Sequence, residues 1–283
     1  VENYPNDSHA SSAYIELAEY YYDQKSYKKA ISFYEQSEND KINNELAIFK
    51  MGYAYFIENE HDKAFELLSS ININEGLKSD ASYFLGYILN EKGDDQEALS
   101  NLEQAFGSSE YGIEALKLYA LLLYDKKEYK RVIDAIDSQA SGTVDPMLLK
   151  LHGDANFELG KYRLASISYK DYIKKSRKTD AASYYKMGMC FYQLNDSDGA
   201  IENFKKAALA KDTVGAYASY YLGRLYTSED NLIFASSAFS NSSKYETEIQ
   251  EEALYAHGKT EFDLSNYASV IPIFTQYRTD FSS

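Results

Sequence analysis

The stretch YIELAEYYYDQKSYKKAISFYEQ, residues 14–36, places two apolar-periodic segments on either side of a polar break, Asp23-Gln24-Lys25-Ser26. In the first segment Tyr14, Leu17, Ala18 and Tyr21 follow the i, i+3, i+4, i+7 spacing of one helical face. Taken alone it reads as a tyrosine-rich core, a tyrosine-rich surface or one unit of something that recurs. Self-alignment decides between these. Ala18 is followed twelve positions later by Ala30, and the same pair returns as Gly52/Ala64, Gly86/Ala98, Ala120/Val132, Gly153/Ala165, Gly188/Ala200, Gly223/Ala235 and Gly258/Val270. The first members are 34, 34, 34, 33, 35, 35 and 35 residues apart. The stretch is one of eight copies.

Each copy reads as helix, short polar turn, helix. The turns, among them ENEH, EKGD, DKKE and ELGK, carry the charge, Asn, Gly and Ser expected of breakers. The recurring small residues have a mechanical purpose, because antiparallel helices approach to about 8–10 Å only where a small side chain stands at the crossing. A glycine inside a helix costs about 1 kcal/mol against alanine. Six copies nevertheless carry one there, so close packing must offset that cost. With only 3 prolines and 14 glycines in 283 residues, long helices and short turns fit the whole chain. The sequence predicts an all-α fold.

Leu85-Gly86, Leu222-Gly223 with Tyr226, and Met51-Gly52 with Tyr55 supply the first-helix phrase of the tetratricopeptide repeat, which the chain resembles over almost its whole length. Ala64, Ala98, Ala165, Ala200 and Ala235 follow in the second helix, with Tyr34, Tyr169, Phe204, Phe239 and Phe274 four residues beyond the small position. Tyr27, Tyr129, Tyr162 and Tyr267 open second helices. Departures exist: Ser82 and Ser219 stand at the usual large first position, Val132 and Val270 replace the second small residue, and Pro272 should kink the last helix or end its first turn.

The resemblance implies a right-handed α-solenoid with repeats at 11–44, 45–78, 79–112, 113–145, 146–180, 181–215, 216–250 and 251–283. Residues 1–10 are then the tail of a preceding repeat or a linker. It further implies a concave groove lined by first helices. On that register Tyr22, Tyr53, Tyr83, Tyr87, Tyr124, Tyr185, Tyr192, Tyr217, Tyr220 and Tyr255 fall in the groove, with Phe49, Phe56, Phe157 and Phe262 beside them. Other tyrosines, including Tyr14, Tyr21, Tyr34, Tyr169 and Tyr267, fall on packing positions. A groove this aromatic is expected to hold a protein or extended peptide, since tyrosine offers a rigid face and a polar tip at low entropy cost. The opposing reading is that these rings pack on neighbouring first helices with the groove idle. Lys117, Lys150, Arg224 and Lys259 are candidate clamps for a carboxylate, against which Glu19, Glu114 and Asp154 would act. The Lys, Arg and Asn cluster needed to grip a C-terminal tail is missing from the first three copies.

Charge and motifs exclude other classes. The balance of 44 acidic to 29 basic residues, net −15, disfavours nucleic acid and anionic membranes. No run of about 18 apolar residues is present to span a bilayer. Cys190 is the single cysteine, so neither an internal disulfide nor a cysteine zinc site can form. Neither HExxH, a phosphate-cradling loop nor a serine elbow occurs. His152 and His257 share one repeat position and read as core histidines. The expectation is a scaffold with no catalytic residues, no metal and no cofactor. Ile271, Ile273, Phe274 and Tyr277 have nothing after them to cover them, and Tyr4 to Ser8 resembles the close of an earlier repeat. A piece of a longer array, able to self-associate through its end repeats, is therefore expected. Leu85-Gly86-Tyr87, Ser219 to Gly223 and the Tyr4-Pro5 phrase are similar to bacterial envelope tetratricopeptide proteins, including those of the Bacteroides group. That likeness implies a periplasmic or outer-membrane-associated place, with the cytoplasm as the alternative.

Overall fold

The computed structural model of the chain describes residues 8–37, 44–139, 145–176 and 180–281. Tyr4 to Asp7, on which the closing phrase of an earlier repeat was expected, and Ser282-Ser283 lie outside the described residues. The described residues form sixteen α-helices, one short 3-10 turn and no strand. They divide into two compact units, Val1–Gly142 and Thr143–Ser283.

The first unit contains four antiparallel hairpins: α1 (Ser8–Asp23) with α2 (Tyr27–Gln36), α3 (Glu45–Ile57) with α4 (His61–Ser69), α5 (Glu75–Lys92) with α6 (Asp95–Gln104), and α7 (Gly112–Asp125) with α8 (Tyr129–Gln139). A 3-10 turn, Ala105–Gly107, extends α6. The second unit repeats the plan with α9 (Pro146–Glu158) and α10 (Tyr162–Lys175), α11 (Ala181–Gln193) and α12 (Ser197–Ala207), α13 (Thr213–Ser228) and α14 (Leu232–Ser242), and α15 (Gln250–Asp263) and α16 (Tyr267–Phe281). Within each unit every helix packs on its hairpin partner and each second helix on the next first helix. First helices of successive hairpins also touch, α1 to α3 to α5 to α7 and α9 to α11 to α13. Each unit is thus an all-α solenoid with a first-helix face.

The hairpins form for reasons visible residue by residue. Several first helices start at Asn or Asp caps: the side chains of Asn74, Asp145, Asp180 and Asp212 accept backbone N–H groups of Leu77, Met147, Ser183 and Gly215 at 3.1, 2.7, 2.7 and 3.0 Å. Such caps satisfy donors that a helix start leaves without partners. Every intra-hairpin turn carries a left-handed residue seven positions after the first small residue: Lys25, Asn59, Gly93, Lys127, Gly160, Asn195, Asp230 and Ser265, with φ between 55° and 82°. The following N–H then bonds back to the last helical turn, as Ser26 to the Tyr21 carbonyl at 2.9 Å and Asn231 to that of Tyr226 at 2.8 Å. That is the 6→1 closure of a Schellman cap.

The small positions do what the spacing implies. A Cβ placed on Gly223 would meet the Phe239 ring at 2.6 Å, and one on Gly188 the Phe204 ring at 2.7 Å. The ring four residues after the second small residue fills the space that the missing methyl leaves. Phe204 and Tyr169 are wholly buried by this arrangement. Helix α16 runs on through Pro272 to Phe281, so the proline does not end the helix at its first turn. It contributes no fully buried side chain, and Tyr267, expected to pack, is 56% exposed.

Candidate functional site

Three side-chain rows line each first-helix face, three residues before, one after and four after the first small residue. In the first unit these rows hold Phe49, Tyr53, Phe56, Tyr83, Tyr87 and Tyr22, and the rings interlock. Phe84, 2% exposed, is the hub. Its centroid lies 6.1 Å from Phe49, 5.3 Å from Tyr53, 4.9 Å from Phe56 and 5.0 Å from Tyr83. Tyr111, from the segment between the third and fourth hairpins, adds a ring 4.8 Å from Phe84 and stacks on Tyr83 at 5.4 Å. Tyr22, Tyr27 and Tyr53 meet edge to face at 5.6–5.8 Å. Phe56 continues the set to Tyr87 at 5.3 Å and stacks on His61. Pairs in this range contribute about 0.5–1.5 kcal/mol each beyond their area. Burial accordingly raises the phenol pKa of Tyr22, Tyr53, Tyr83 and Tyr111. Phe49 is 7% exposed, so it is part of the core beneath the face and offers no surface to a ligand.

The one candidate cation of this unit, Lys117, is neutralised. Lys117 pairs with Glu114 at 2.6 Å and Lys50 with Glu19 at 3.6 Å. Glu19 and Glu114, two of the three acids expected to oppose a carboxylate ligand, thus have lysines of their own. Tyr124 packs on Tyr129, the first residue of α8, at 5.2 Å.

In the second unit the face changes character along its length. At its start Lys150 Nζ meets Asp180 Oδ2 at 3.1 Å, and Tyr172 Oη donates to the same oxygen. Asp154, 8% exposed, accepts from Tyr169 Oη and Lys186 Nζ, both at 2.7 Å. Lys186 lies 6.0 Å over Phe157, which packs on Tyr162. Further along, Tyr185 contacts Tyr217 and Tyr221 at 6.3 Å, and Tyr221 meets Tyr192 at 5.3 Å and Tyr220 at 5.6 Å. Arg224 Cζ stands 5.9 Å from each of the Tyr192, Tyr220 and Tyr221 centroids, inside cation–π range. Tyr220 Oη donates to Glu252 at 2.7 Å; burial, then this bond, pushes the phenol up to about 12. Beyond it Tyr255 is 50% and Phe262 56% exposed, and Lys259 is exposed beside them. Among the described residues, neither Arg224 nor Lys259 has a carboxylate at ion-pair distance.

The remaining reactive groups sit in packing roles. The Cys190 thiol is fully buried, and burial pushes its pKa up to about 12, away from the thiolate a nucleophile needs. His152 Nδ1 lies 2.7 Å from Ser168 Oγ, and His257, half-buried, is lowered in pKa by that burial. Among the described residues no cluster of three His, Cys, Asp or Glu could hold a metal, and no helix is long and apolar enough to cross a membrane.

Phe84, Tyr111 and Tyr221 are among the site residues that sequence reasoning overlooked. Tyr221 could have been found, as it follows Tyr217 by one helical turn on the same stripe. Tyr111 carries no such signal, because it lies between hairpins where the repeat register is silent.

Family models described as the tetratricopeptide repeat match residues 11–38 and 182–208, the first and sixth hairpins. A BBSome complex member BBS4 homolog of Drosophila melanogaster is 25% identical over 203 residues, which cover 69% of this chain and 40% of that protein. The chain thus spans about two fifths of the length of this curated relative. Among solved structures, the C-terminal part of a TPR repeat-containing protein from Cytophaga hutchinsonii superposes with a TM-score of 0.65 at 17% identity, covering 85% of this chain and 99% of its own. A double mutant of MamA RS-1 superposes with a TM-score of 0.51 at 18% identity, covering 60% of this chain and 96% of its own. At these identities the likeness is one of fold.

Proposed function

As a tandem tetratricopeptide-repeat protein, this chain is, we propose, a non-catalytic scaffold that holds an extended peptide of a partner protein on the first-helix face of its second unit. One observation carries this reading. The Arg224 guanidinium, exposed on this face, is braced by the half-buried rings of Tyr192, Tyr220 and Tyr221, with no acid of the chain paired to it among the described residues. Exposed aromatic surface beside directional polar groups is the composition of peptide-recognition faces. Half-buried hydroxyls on the same face supply donors for the backbone of an extended chain. The matching fold of interaction-type repeat proteins supports the scaffold role, and the Drosophila relative is by its name a complex member.

The periplasm or outer membrane is the proposed location, resting on the envelope-type phrases around Leu85-Gly86-Tyr87 and Ser219 to Gly223. Fractionation of cells that produce the protein naturally tests it, and recovery with cytoplasmic markers would reject it.

A peptide array probed with the chain tests the binding role. Changing Tyr220, Tyr255 and Phe262 together to alanine should abolish retention of bound peptides while the thermal melt stays within a few degrees. An array pattern indifferent to the triple variant would reject the second-unit face as the binding surface.

A further inference from the structure

Three residues after the first small position, first helices carry Tyr55, Leu89, Leu123 and Tyr226, all buried. In α15 the same core position holds Glu261, 8% exposed. A buried carboxylate needs partners, because an uncompensated charge is costly away from water. Glu261 has two neutral ones: Ser236 of α14 donates to Oε1, and Asn266, in the turn into α16, donates to Oε2 at 2.6 Å. His257 Nε2 stands 4.0 Å from Oε1. Burial, then the charge of Lys244, holds that imidazole below its ordinary pKa against the pull of Glu261, leaving it neutral at neutral pH. Among the described residues no Lys or Arg lies at ion-pair distance from Glu261.

The acid lines a cleft of about 590 Å³ between α14 and α15. Ser237 and Ser240 add hydroxyls to the lining, while Ile233, 73% exposed, and Leu264 add apolar surface. Helix α14 carries no charged residue, so it brings no cation to this cleft. Clefts elsewhere on the chain supply their own. Arg131 lines the one at α6 and α8 and holds Glu128 at 2.6 Å, and Lys206 lines the one at α10 and α12 and holds Glu202 at 2.7 Å. We propose that the cleft between α14 and α15 is a binding site for a primary alkylammonium group, its charge received by Glu261 and its alkyl chain packed on Ile233 and Leu264. An ammonium has three donors and no acceptor, which suits a lining of one carboxylate and several hydroxyls. The cleft lies within the size range of small-ligand sites, and the net charge of −15 draws cations toward the chain. His257, Glu261 and Leu264 form a different stripe of α15 from Tyr255, Lys259 and Phe262, so the site is separate from the proposed peptide face.

The test titrates pentylamine, its neutral counterpart pentanol and Nα-acetyl-lysine amide into the isotope-labelled whole chain, following amide shifts in α14 and α15 by NMR. Pentylamine should bind about tenfold more tightly than pentanol, the worth of one hydrogen bond to a charged group. Glu261→Gln, which keeps an acceptor for Ser236, should erase that preference, while Glu202→Gln, whose acid has its own lysine, should preserve it. Ile233→Lys changes an exposed position, leaves Glu261 intact and brings a cation into the cleft, so it should also erase the preference. Equal affinity for amine and alcohol, no shifts with pentylamine, or a preference that survives Glu261→Gln would overturn the inference. Should Glu261→Gln fail to fold, undiminished amine binding by Ile233→Lys would overturn it alone. Nα-acetyl-lysine amide separates two sources of the same group. Binding as tight as that of pentylamine assigns the site to a lysine side chain of a protein, and binding of pentylamine alone assigns it to a free amine; either result supports an ammonium site. The variant lacking the Tyr220, Tyr255 and Phe262 side chains should bind pentylamine unchanged, which keeps this test independent of the peptide face.

Discussion

The two units share one hairpin plan and a comparable wealth of aromatic rings on their first-helix faces, yet the rings are used in opposite ways. In the first unit Phe49, Tyr53, Phe56, Tyr83 and Tyr111 all meet on one buried ring, Phe84, and Tyr83 also stacks on Tyr111. In the second unit Tyr192, Tyr220 and Tyr221 surround the exposed Arg224 guanidinium. The lesson is that aromatic abundance alone does not make a binding surface. A ring supports recognition only where its neighbours in the fold leave a face of it unused.

That contrast can be broken in several places. Phe84→Ala should be the most damaging, removing about 3–5 kcal/mol as expected for a buried aromatic. Calorimetry should show a large fall in melting temperature, while the folded chain still retains the peptides it captures on the array; lost retention at unchanged stability would reverse the roles of the two faces. Asp154→Asn tests whether the start of the second unit is structural rather than ligand-facing. Asp154 is 8% exposed and its partner Lys186 keeps a side-chain exposure of 29%. Leaving that lysine without its partner should cost about 2 kcal/mol, below the fully buried range because Lys186 stays partly solvated. Chemical denaturation measures this, with peptide affinity unchanged.

The turns should be indifferent to the contrast. Lys127→Gly relieves a left-handed lysine and should add about 0.5–1 kcal/mol, the steric gain less the extra chain entropy of glycine. Asn195→Gly in the second unit should add less, since asparagine tolerates that conformation. Destabilisation by Lys127→Gly would show that the turn geometry is not limiting.

The smallest effect is a response to acid. Glu45 accepts the backbone N–H groups of Ile73, Asn72 and Asn74 at 2.9, 2.8 and 2.7 Å, and these bonds hold its pKa below the ordinary glutamate value of 4.5. A lowered carboxylate stabilises the fold above its ordinary pKa and loses that contribution as pH falls through the folded value. The link between the second and third hairpins should therefore loosen only below pH 4.5. Amide chemical shifts of residues 72–74 should titrate together there, and flat shifts would remove Glu45 from that role.

Much of the fold was legible because it is written locally. The left-handed turn residue, the small residue in mid-helix and the ring sixteen positions later all recur at fixed offsets, as Gly223 and Phe239 illustrate. The first-helix rows were legible in the same way, which is why Tyr53, Tyr83, Tyr192 and Tyr220 could be named. Which of those side chains are free was not legible. Lys150 is quenched by Asp180 and Asp154 by Lys186, partners about one repeat away whose side-chain reach the register does not specify. Tyr83 is covered by Tyr111 from an inter-hairpin segment. Phe49, although it lies on a face row, is drawn into the core by Phe84. Offsets position a side chain, while its availability depends on a neighbour chosen independently.

The central claim, an aromatic face spent on packing in one unit and open to a peptide in the other, is tested most directly by fluorine NMR. The chain would carry 3-fluorotyrosine, with resonances assigned by single Tyr→Phe replacements, and be titrated with the peptide it retains most strongly on the array. Resonances of Tyr220 and Tyr255 should move in a saturable way, while those of Tyr53, Tyr83 and Tyr111 stay in place. Movement of the first-unit tyrosines with Tyr220 and Tyr255 unmoved would contradict the account.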